Sequence, residues 1–221
     1  MKNSRIVLAL ILVATMLFTL AGCAKESDQL LGSWEAKVDL AGVISDTISS
    51  VDEDMGKYIK INKLEMSVTF TFKEDGTYEV KADKDFLVKS VEAARADMKE
   101  GLEKMYQDIL NERNSDMTVD EMLASQGLTL DDLCDQMLGD EFVNTMIKSM
   151  DIKGKFKAKD GKLFMSAGLE YGIDEKAYEV YEISDKQLKL VESVGTDSDD
   201  EYGAFADDMY PIVFTRVETA A

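Results

Sequence analysis

The chain of 221 residues contains 44 acidic residues, 25 lysine or arginine residues and no histidine, which gives a formal net charge of −19. So acidic a surface repels nucleic acid, and we therefore exclude nucleic acid as a partner. A chain without histidine has no Ser-His-Asp triad, imidazole general base or histidine metal ligand. It also lacks a glycine motif for a dinucleotide or a kinase phosphate, and we expect no cofactor and no bound metal.

The first 22 residues have the composition of a secretory signal peptide. Two basic residues precede an apolar segment at 6–20, and small residues follow that segment. The sequence Leu20-Ala21-Gly22-Cys23 resembles the lipobox of bacterial lipoproteins. This resemblance implies cleavage between Gly22 and Cys23 and a thioether bond from the Cys23 sulfur to diacylglycerol.

An acylated Cys23 would hold the protein on a lipid bilayer outside the cytoplasm. The resemblance implies a further acyl chain, such as palmitate, on the new terminal amine, and two or three chains anchor a protein firmly. The site would be the outer face of the cell membrane, or the outer membrane where the bacterium has one. Two alternatives stay open: an ordinary signal peptide with an incidental cysteine, and a membrane-spanning anchor, for which the apolar segment is short.

The mature chain is predicted to start with a polar tether at 23–30, followed by a folded domain at 31–221. Leu64, Met66, Val68, Phe70 and Phe72 alternate with other residues, which is typical of a strand. The acidic turn that follows, Glu74-Asp75-Gly76, leads into a return strand. We predict strands at 33–40, 63–73 and 76–83. Between the first two, apolar residues at steps of three and four predict a helix over 43–59.

Residues 84–150 change to a helical period. Apolar residues from Leu87 to Ile109 recur at steps of three and four, which predicts an amphipathic helix of about seven turns. Asp83 or Asp85 is expected to cap its start. Thr118 with Glu121 predicts a capping box, and Thr129 is expected to cap a third helix, with a fourth after it. Seven of the 13 methionines lie in this segment.

Five further strands are predicted at 153–159, 162–167, 178–184, 187–194 and 211–217. Asp160-Gly161 is a hairpin turn signal, and Pro211 fits a strand start. Mostly short links between strands predict an antiparallel up-and-down sheet, which loses its free edges when it closes into a barrel. The predicted fold class is therefore α+β: an eight-stranded antiparallel barrel with an inserted helical subdomain, residues 84–150, between strands 3 and 4.

Three stretches of the strand blocks are similar to the lipocalin-like lipoproteins of bacteria. They are Leu31-Gly32-Ser33-Trp34, the hairpin sequence Phe70-Thr71-Phe72-Lys73-Glu74-Asp75-Gly76-Thr77-Tyr78, and Tyr210-Pro211-Ile212-Val213-Phe214. The resemblance covers about 110 residues and implies a lipocalin-like barrel. It implies that Trp34 plugs one barrel end and that the barrel binds a small apolar molecule.

The candidate ligand-binding residues are apolar. Phe70, Phe72 and Tyr78 would face a barrel cavity, and Met98 and Met105 would line an adaptable apolar surface on the long helix. The alternative for all five is that they fill the core, and soft-metal binding by the methionines is a further one. Cys134 lies among apolar residues and is expected to be a buried, unreactive thiol. The acidic loop 196–201 offers oxygen ligands for calcium, but it lacks the EF-hand glycine and fits a solvated loop.

We therefore expect a non-enzymatic, lipid-anchored extracytoplasmic protein that binds a small apolar ligand in or near the barrel. The alternative function is a protein-protein interaction or structural module of the cell envelope that acts through the helical insertion. A histidine-free hydrolase that works through two carboxylates is a third hypothesis, although nothing in the sequence singles out a pair.

Overall fold

Eight strands form a closed antiparallel barrel in the computed structural model, which describes residues 26–195 and 209–218. Neighbouring strands pair in chain order, and β8 returns to β1. The strands are β1 Gly32–Asp39, β2 Glu65–Phe72, β3 Thr77–Ala82, β4 Ile152–Lys159, β5 Lys162–Met165, β6 Tyr178–Ile183, β7 Gln187–Val194 and β8 Ile212–Arg216. The prediction of eight antiparallel strands in a closed barrel is confirmed.

The alternating pattern of β2 explains how the barrel interior is filled. Phe70 pairs with Val80 and Phe72 pairs with Tyr78, so that residues directly opposite each other share the inner face. These side chains are at most 5 % exposed. At the turn between β2 and β3, Gly76 has φ +79°, a backbone conformation that glycine adopts without steric cost.

The segment between β1 and β2 differs from the single predicted helix over 43–59. It contains two helices, α2 Ala41–Val51 and α3 Glu53–Tyr58. Asp52 separates them in an extended conformation, and its carboxylate accepts hydrogen bonds from the backbone N–H groups of Asp54 and Met55. Because this capping bond competes with the continuous helix, the apolar stripe runs across a helix boundary.

Four helices lie in the chain between β3 and β4: α4 Lys84–Glu112, α5 Val119–Ala124, α6 Leu130–Leu138 and α7 Asp140–Ser149. Asp83 caps α4 by accepting a hydrogen bond from the Phe86 N–H at 3.0 Å. The capping box of Thr118 and Glu121 is present, and Thr129 caps α6. These three helices therefore begin at the capping residues that were predicted from the sequence.

The long helix α4 packs on the barrel and then passes the start of β2. Near its start, Ser90 accepts a hydrogen bond from the Glu65 N–H at 2.7 Å, and further along Asp97 binds the backbone of Asn62. Its buried face belongs to the same hydrophobic core as the barrel interior. That face consists of Leu87, Val91, Ala94, Met98, Gly101, Leu102 and Leu110.

None of the helices in the described part of the chain is long and apolar enough to cross a membrane.

Candidate functional site

Trp34 lies at the end of the barrel where β1 starts. Its side chain is fully buried, and its indole N–H donates a hydrogen bond to the Leu30 carbonyl at 2.7 Å. The Arg216 guanidinium lies over the indole ring, 4.0 Å from its centroid. Arg216 also donates to the carbonyls of Leu31 and Gln29, at 2.7 and 2.8 Å. The first and last strands are thus joined at this end by one tryptophan and one arginine.

A short helix covers the same end of the barrel. Helix α1, Glu26–Leu30, includes the last part of the segment predicted as a tether, 23–30. The Ser27 hydroxyl accepts a hydrogen bond from the Ala158 N–H at 3.3 Å, and a Glu26 carboxylate oxygen accepts one from the Gly161 N–H at 3.2 Å. Residues 26–30 therefore pack against the hairpin of β4 and β5 and do not form a free tether.

Phe70, Phe72 and Tyr78 come together in the barrel interior. The ring centroid of Phe70 lies 5.7 Å from that of Phe72 and 6.2 Å from that of Tyr78. Phe156 and Phe214 make edge contacts with this group at 4.9 and 5.3 Å. These separations are those of packed aromatic pairs, so the five rings occupy this part of the barrel with one another.

Tyr78 also binds the chain directly after β5. Its hydroxyl donates a hydrogen bond to the Ser166 carbonyl at 2.8 Å, and burial raises the pKa of Tyr78 to about 12. A Cβ on Gly154 would lie 2.6 Å from the Tyr78 ring and would clash with the Ser166 carbonyl oxygen. Glycine at this position lets the ring approach the backbone of β4 closely.

Met98 and Met105 lie apart from the aromatic group. The turn of α4 that carries Met98 adjoins residues 59–62, because Gly101 contacts the backbone of Ile59. Phe70 lies five residues beyond the start of β2, which is about 17 Å along an extended strand. Met98 is fully buried and Met105 is partly buried against the core. The five candidate ligand-binding residues predicted from the sequence therefore lie in two different places in the fold.

A groove marks the place where the barrel closes. Trp34 pairs with Arg216 and Glu35 pairs with Thr215, and no further β1–β8 pairs occur among the described residues. Beyond these pairs lies a groove of about 370 Å³, which we call the seam groove. Its described lining consists of Lys37, Val38, Asp39, Gly42, Val43, Met209, Pro211, Ile212 and Val213. Six of these residues are apolar, whereas Lys37 and Asp39 contribute charges.

The barrel also buries a carboxylate that the sequence analysis missed. Glu179 on β6 is 4 % exposed, and the Tyr210 hydroxyl donates a hydrogen bond to its carboxylate at 2.7 Å. In the alternation of β6, Glu179 occupies the inner face with Tyr181. The neighbours of Glu179 in the chain, Tyr178 and Val180, do not indicate that the glutamate takes the inner position.

Cys134 on α6 is 1 % exposed, and burial raises the pKa of its thiol. The prediction of a buried thiol is thus confirmed, and its raised pKa disfavours the reactive thiolate. Gly22, Cys23 and the acidic loop 196–201 lie outside the described residues.

The geometry therefore provides two features that combine a shaped surface with specific side chains, the Trp34–Arg216 barrel end and the seam groove. Comparison of the chain with protein-family models, with curated proteins and with solved structures finds no match.

Proposed function

We propose that this protein is a lipid-anchored, extracytoplasmic lipoprotein with a lipocalin-like barrel, and that it binds a small apolar ligand in the seam groove. The observation that carries the ligand proposal is the groove itself. Its volume of about 370 Å³ lies in the range of small-molecule sites, and its lining combines apolar residues with the charged side chains of Lys37 and Asp39. Because the aromatic rings inside the barrel pack against one another, the seam groove is a better candidate for the ligand site than the space among the rings.

Gly42 offers a direct way to test the groove. A Cβ at Gly42 would meet no atom within 4 Å, and Gly42 lines the groove, so a larger side chain can be introduced there to obstruct it. We expect Gly42→Phe to weaken binding of a neutral apolar dye, such as Nile red, at least tenfold, or about 1.4 kcal/mol. Fluorescence titration of the purified protein measures the dissociation constant.

Gly172→Phe is the matched control, because Gly172 also has open space around it and lies outside the groove. This control should keep the wild-type dissociation constant within twofold. Equal affinity of the two variants, or no dye uptake by the wild type, would rule out the seam groove as the ligand site.

The anchor proposal is supported by the position of α1. This helix starts at Glu26, three residues after Cys23, and it is bonded to the β4–β5 hairpin. A lipid on Cys23 would hold this end of the barrel beside the bilayer, because three residues span at most about 11 Å. Short tethers of this kind fit a protein that works at a membrane surface.

Cys23→Ser should abolish incorporation of an alkyne fatty acid in growing cells and move the protein from the membrane fraction to the soluble fraction. The hydroxyl of serine does not replace the thiolate as the nucleophile that takes up the lipid. Cys134→Ser removes the other cysteine of the chain and should leave labelling and location unchanged. Labelling that persists in Cys23→Ser, or an unlabelled wild type, would contradict the lipoprotein proposal.

A further inference from the structure

One strand of this acidic protein carries a row of lysines on its outer face. Lys153, Lys155, Lys157 and Lys159 occupy alternate positions of β4 and are exposed, while the residues between them point inward. Lys159 lies opposite Lys162 of β5. We call these five residues the lysine face. Along an extended strand, the row on β4 is about 20 Å long.

The lysine face stands in contrast to the rest of the charge distribution. Residues 152–165 contain five lysines and one aspartate, whereas residues 84–150 contain 15 acidic and seven basic residues. A basic region is thus present on one side of the barrel although the net charge of the chain is −19. Local fields of this kind act over about 8 Å at physiological ionic strength, so the charges close to this face determine its potential.

Carboxylates beside the lysine face neutralise only part of its charge. Glu175 pairs with Lys157, and Asp160 lies 4.0 Å from Lys159. Glu79 is shared by several cations, since Lys81 and Lys153 hold its pKa at about 2 and Lys73 lies 3.7 Å from it. Glu26 at the β4–β5 turn and Asp151, which acts on Lys81, add two more carboxylates, whereas strands β4 and β5 themselves carry five lysines and no carboxylate.

The loop after β5 adds apolar groups to the same side. Lys155 donates a hydrogen bond to the Tyr171 carbonyl at 3.3 Å, which places this loop beside β4. The side chains of Leu169 and Tyr171 are 46 and 55 % exposed. Lysines next to an exposed leucine and tyrosine are the combination that binds the interface of an anionic membrane.

The start of the described chain lies at one end of the lysine face. The Glu26 carboxylate accepts a hydrogen bond from Gly161 in the turn between Lys159 and Lys162. Cys23 is three residues before Glu26, within about 11 Å of chain length. If Cys23 is acylated, as proposed above, the turn lies at the headgroup layer, and Lys159 and Lys162 are close enough to feel its charge.

We infer that the lysine face is a docking surface for the anionic phospholipid headgroups of the membrane that holds the lipid anchor. The anchor supplies attachment, and the lysine face sets which side of the barrel lies on the bilayer. Residues 84–150 connect the end of β3 to the start of β4, at the barrel end opposite the β4–β5 turn. The inference depends on the proposed acylation of Cys23, and the experiment tests the two separately.

The test measures how membrane charge protects individual lysines. Full-length protein, produced with its leader and purified in detergent, is added to preformed vesicles of phosphatidylcholine alone or with 30 mol% phosphatidylglycerol. A membrane-impermeant amine reagent is applied briefly, and mass spectrometry gives the labelling rate of each lysine and the mass of the Cys23 peptide. We expect Lys155, Lys157, Lys159 and Lys162 to react at least threefold more slowly on the anionic vesicles, and 0.5 M NaCl to abolish this difference.

Lys60, Lys89 and Lys104 are exposed and lie outside the lysine face, so their rates should change less than 1.5-fold. The triple variant K157Q/K159Q/K162Q should lose the protection of the remaining Lys155, whereas K60Q/K89Q/K104Q should keep it. Circular dichroism establishes that both variants are folded.

Equal labelling rates on both kinds of vesicle, with an acylated Cys23 peptide, would overturn the docking surface and leave the anchor proposal intact. Protection on neutral vesicles that increases with protein density would identify a second copy as the occupant and overturn the inference as well. An unmodified Cys23 peptide would remove the anchor proposal and the inference together.

Discussion

Gly101→Ala is expected to lower the free energy of unfolding by about 2–3 kcal/mol, although alanine favours a helix over glycine by about 1 kcal/mol. Gly101 lies within α4, and a Cβ there would be 2.7 Å from the Tyr58 carbonyl oxygen and 2.9 Å from the Ile59 Cα. Both neighbours are backbone atoms, which have no alternative rotamer. The helix must therefore move away from the chain before β2, and its buried side chains lose contact with the core.

Urea unfolding followed by circular dichroism measures this change, and Gly42→Ala is the control. Gly42 lies in α2 with no atom near the position of a new Cβ, so alanine should stabilise this helix by up to about 1 kcal/mol. The same substitution thus has opposite expected signs at two helical positions. A Gly101→Ala protein as stable as the wild type would show that α4 does not pack this closely on Tyr58.

The close packing of α4 also determines how the helical segment can be studied. Met98 and Leu102 on this helix share one core with Leu64 and Met66 next to and within β2. Removal of residues 84–150 would expose these barrel residues, so the loss of a partner after such a deletion would not identify an interaction surface. Substitution of exposed acidic residues on α5 to α7 tests the envelope-interaction hypothesis without that disturbance.

The strands were predictable from the sequence because each one carries its own signal. The alternation of β2 and the Asp160-Gly161 turn depend on residues that are close in the chain. The caps at Thr118 and Thr129 are equally local. The break at Asp52 was missed because the apolar stripe continues across it, although three acidic residues in a row, Asp52 to Asp54, are a helix-start signal.

The candidate site was less predictable because it depends on where distant strands meet. Glu35 pairs with Thr215, and no local pattern indicates that β1 and β8 stay paired over only two positions. The same holds for the guanidinium of Arg216, which reaches Trp34 only after the barrel closes. The lysine row of β4 can be read from the sequence, but the net charge of the whole chain does not reveal such a local cluster.

Trp34→Ala is expected to lower the free energy of unfolding by about 3–5 kcal/mol, the usual cost of removing a large aromatic side chain from a core. The substitution leaves a cavity at the barrel end, removes the ring beneath the Arg216 guanidinium and leaves the Leu30 carbonyl without its indole donor. Since Arg216 also binds the Gln29 carbonyl, α1 should loosen together with the barrel end. Hydrogen exchange at residues 27–31 measures that loosening, and urea unfolding measures the loss of stability.

Two further variants separate the parts of this interaction. Trp34→Phe keeps a ring but removes the indole N–H, and should cost about 1–3 kcal/mol. A double-mutant cycle of Trp34→Phe with Arg216→Lys should give a coupling energy of about 0.5–2 kcal/mol, because lysine does not reproduce the planar stack of the guanidinium on the indole ring. If Trp34→Ala unfolds at the wild-type urea concentration and α1 exchanges no faster, then Trp34 does not hold this end of the barrel closed.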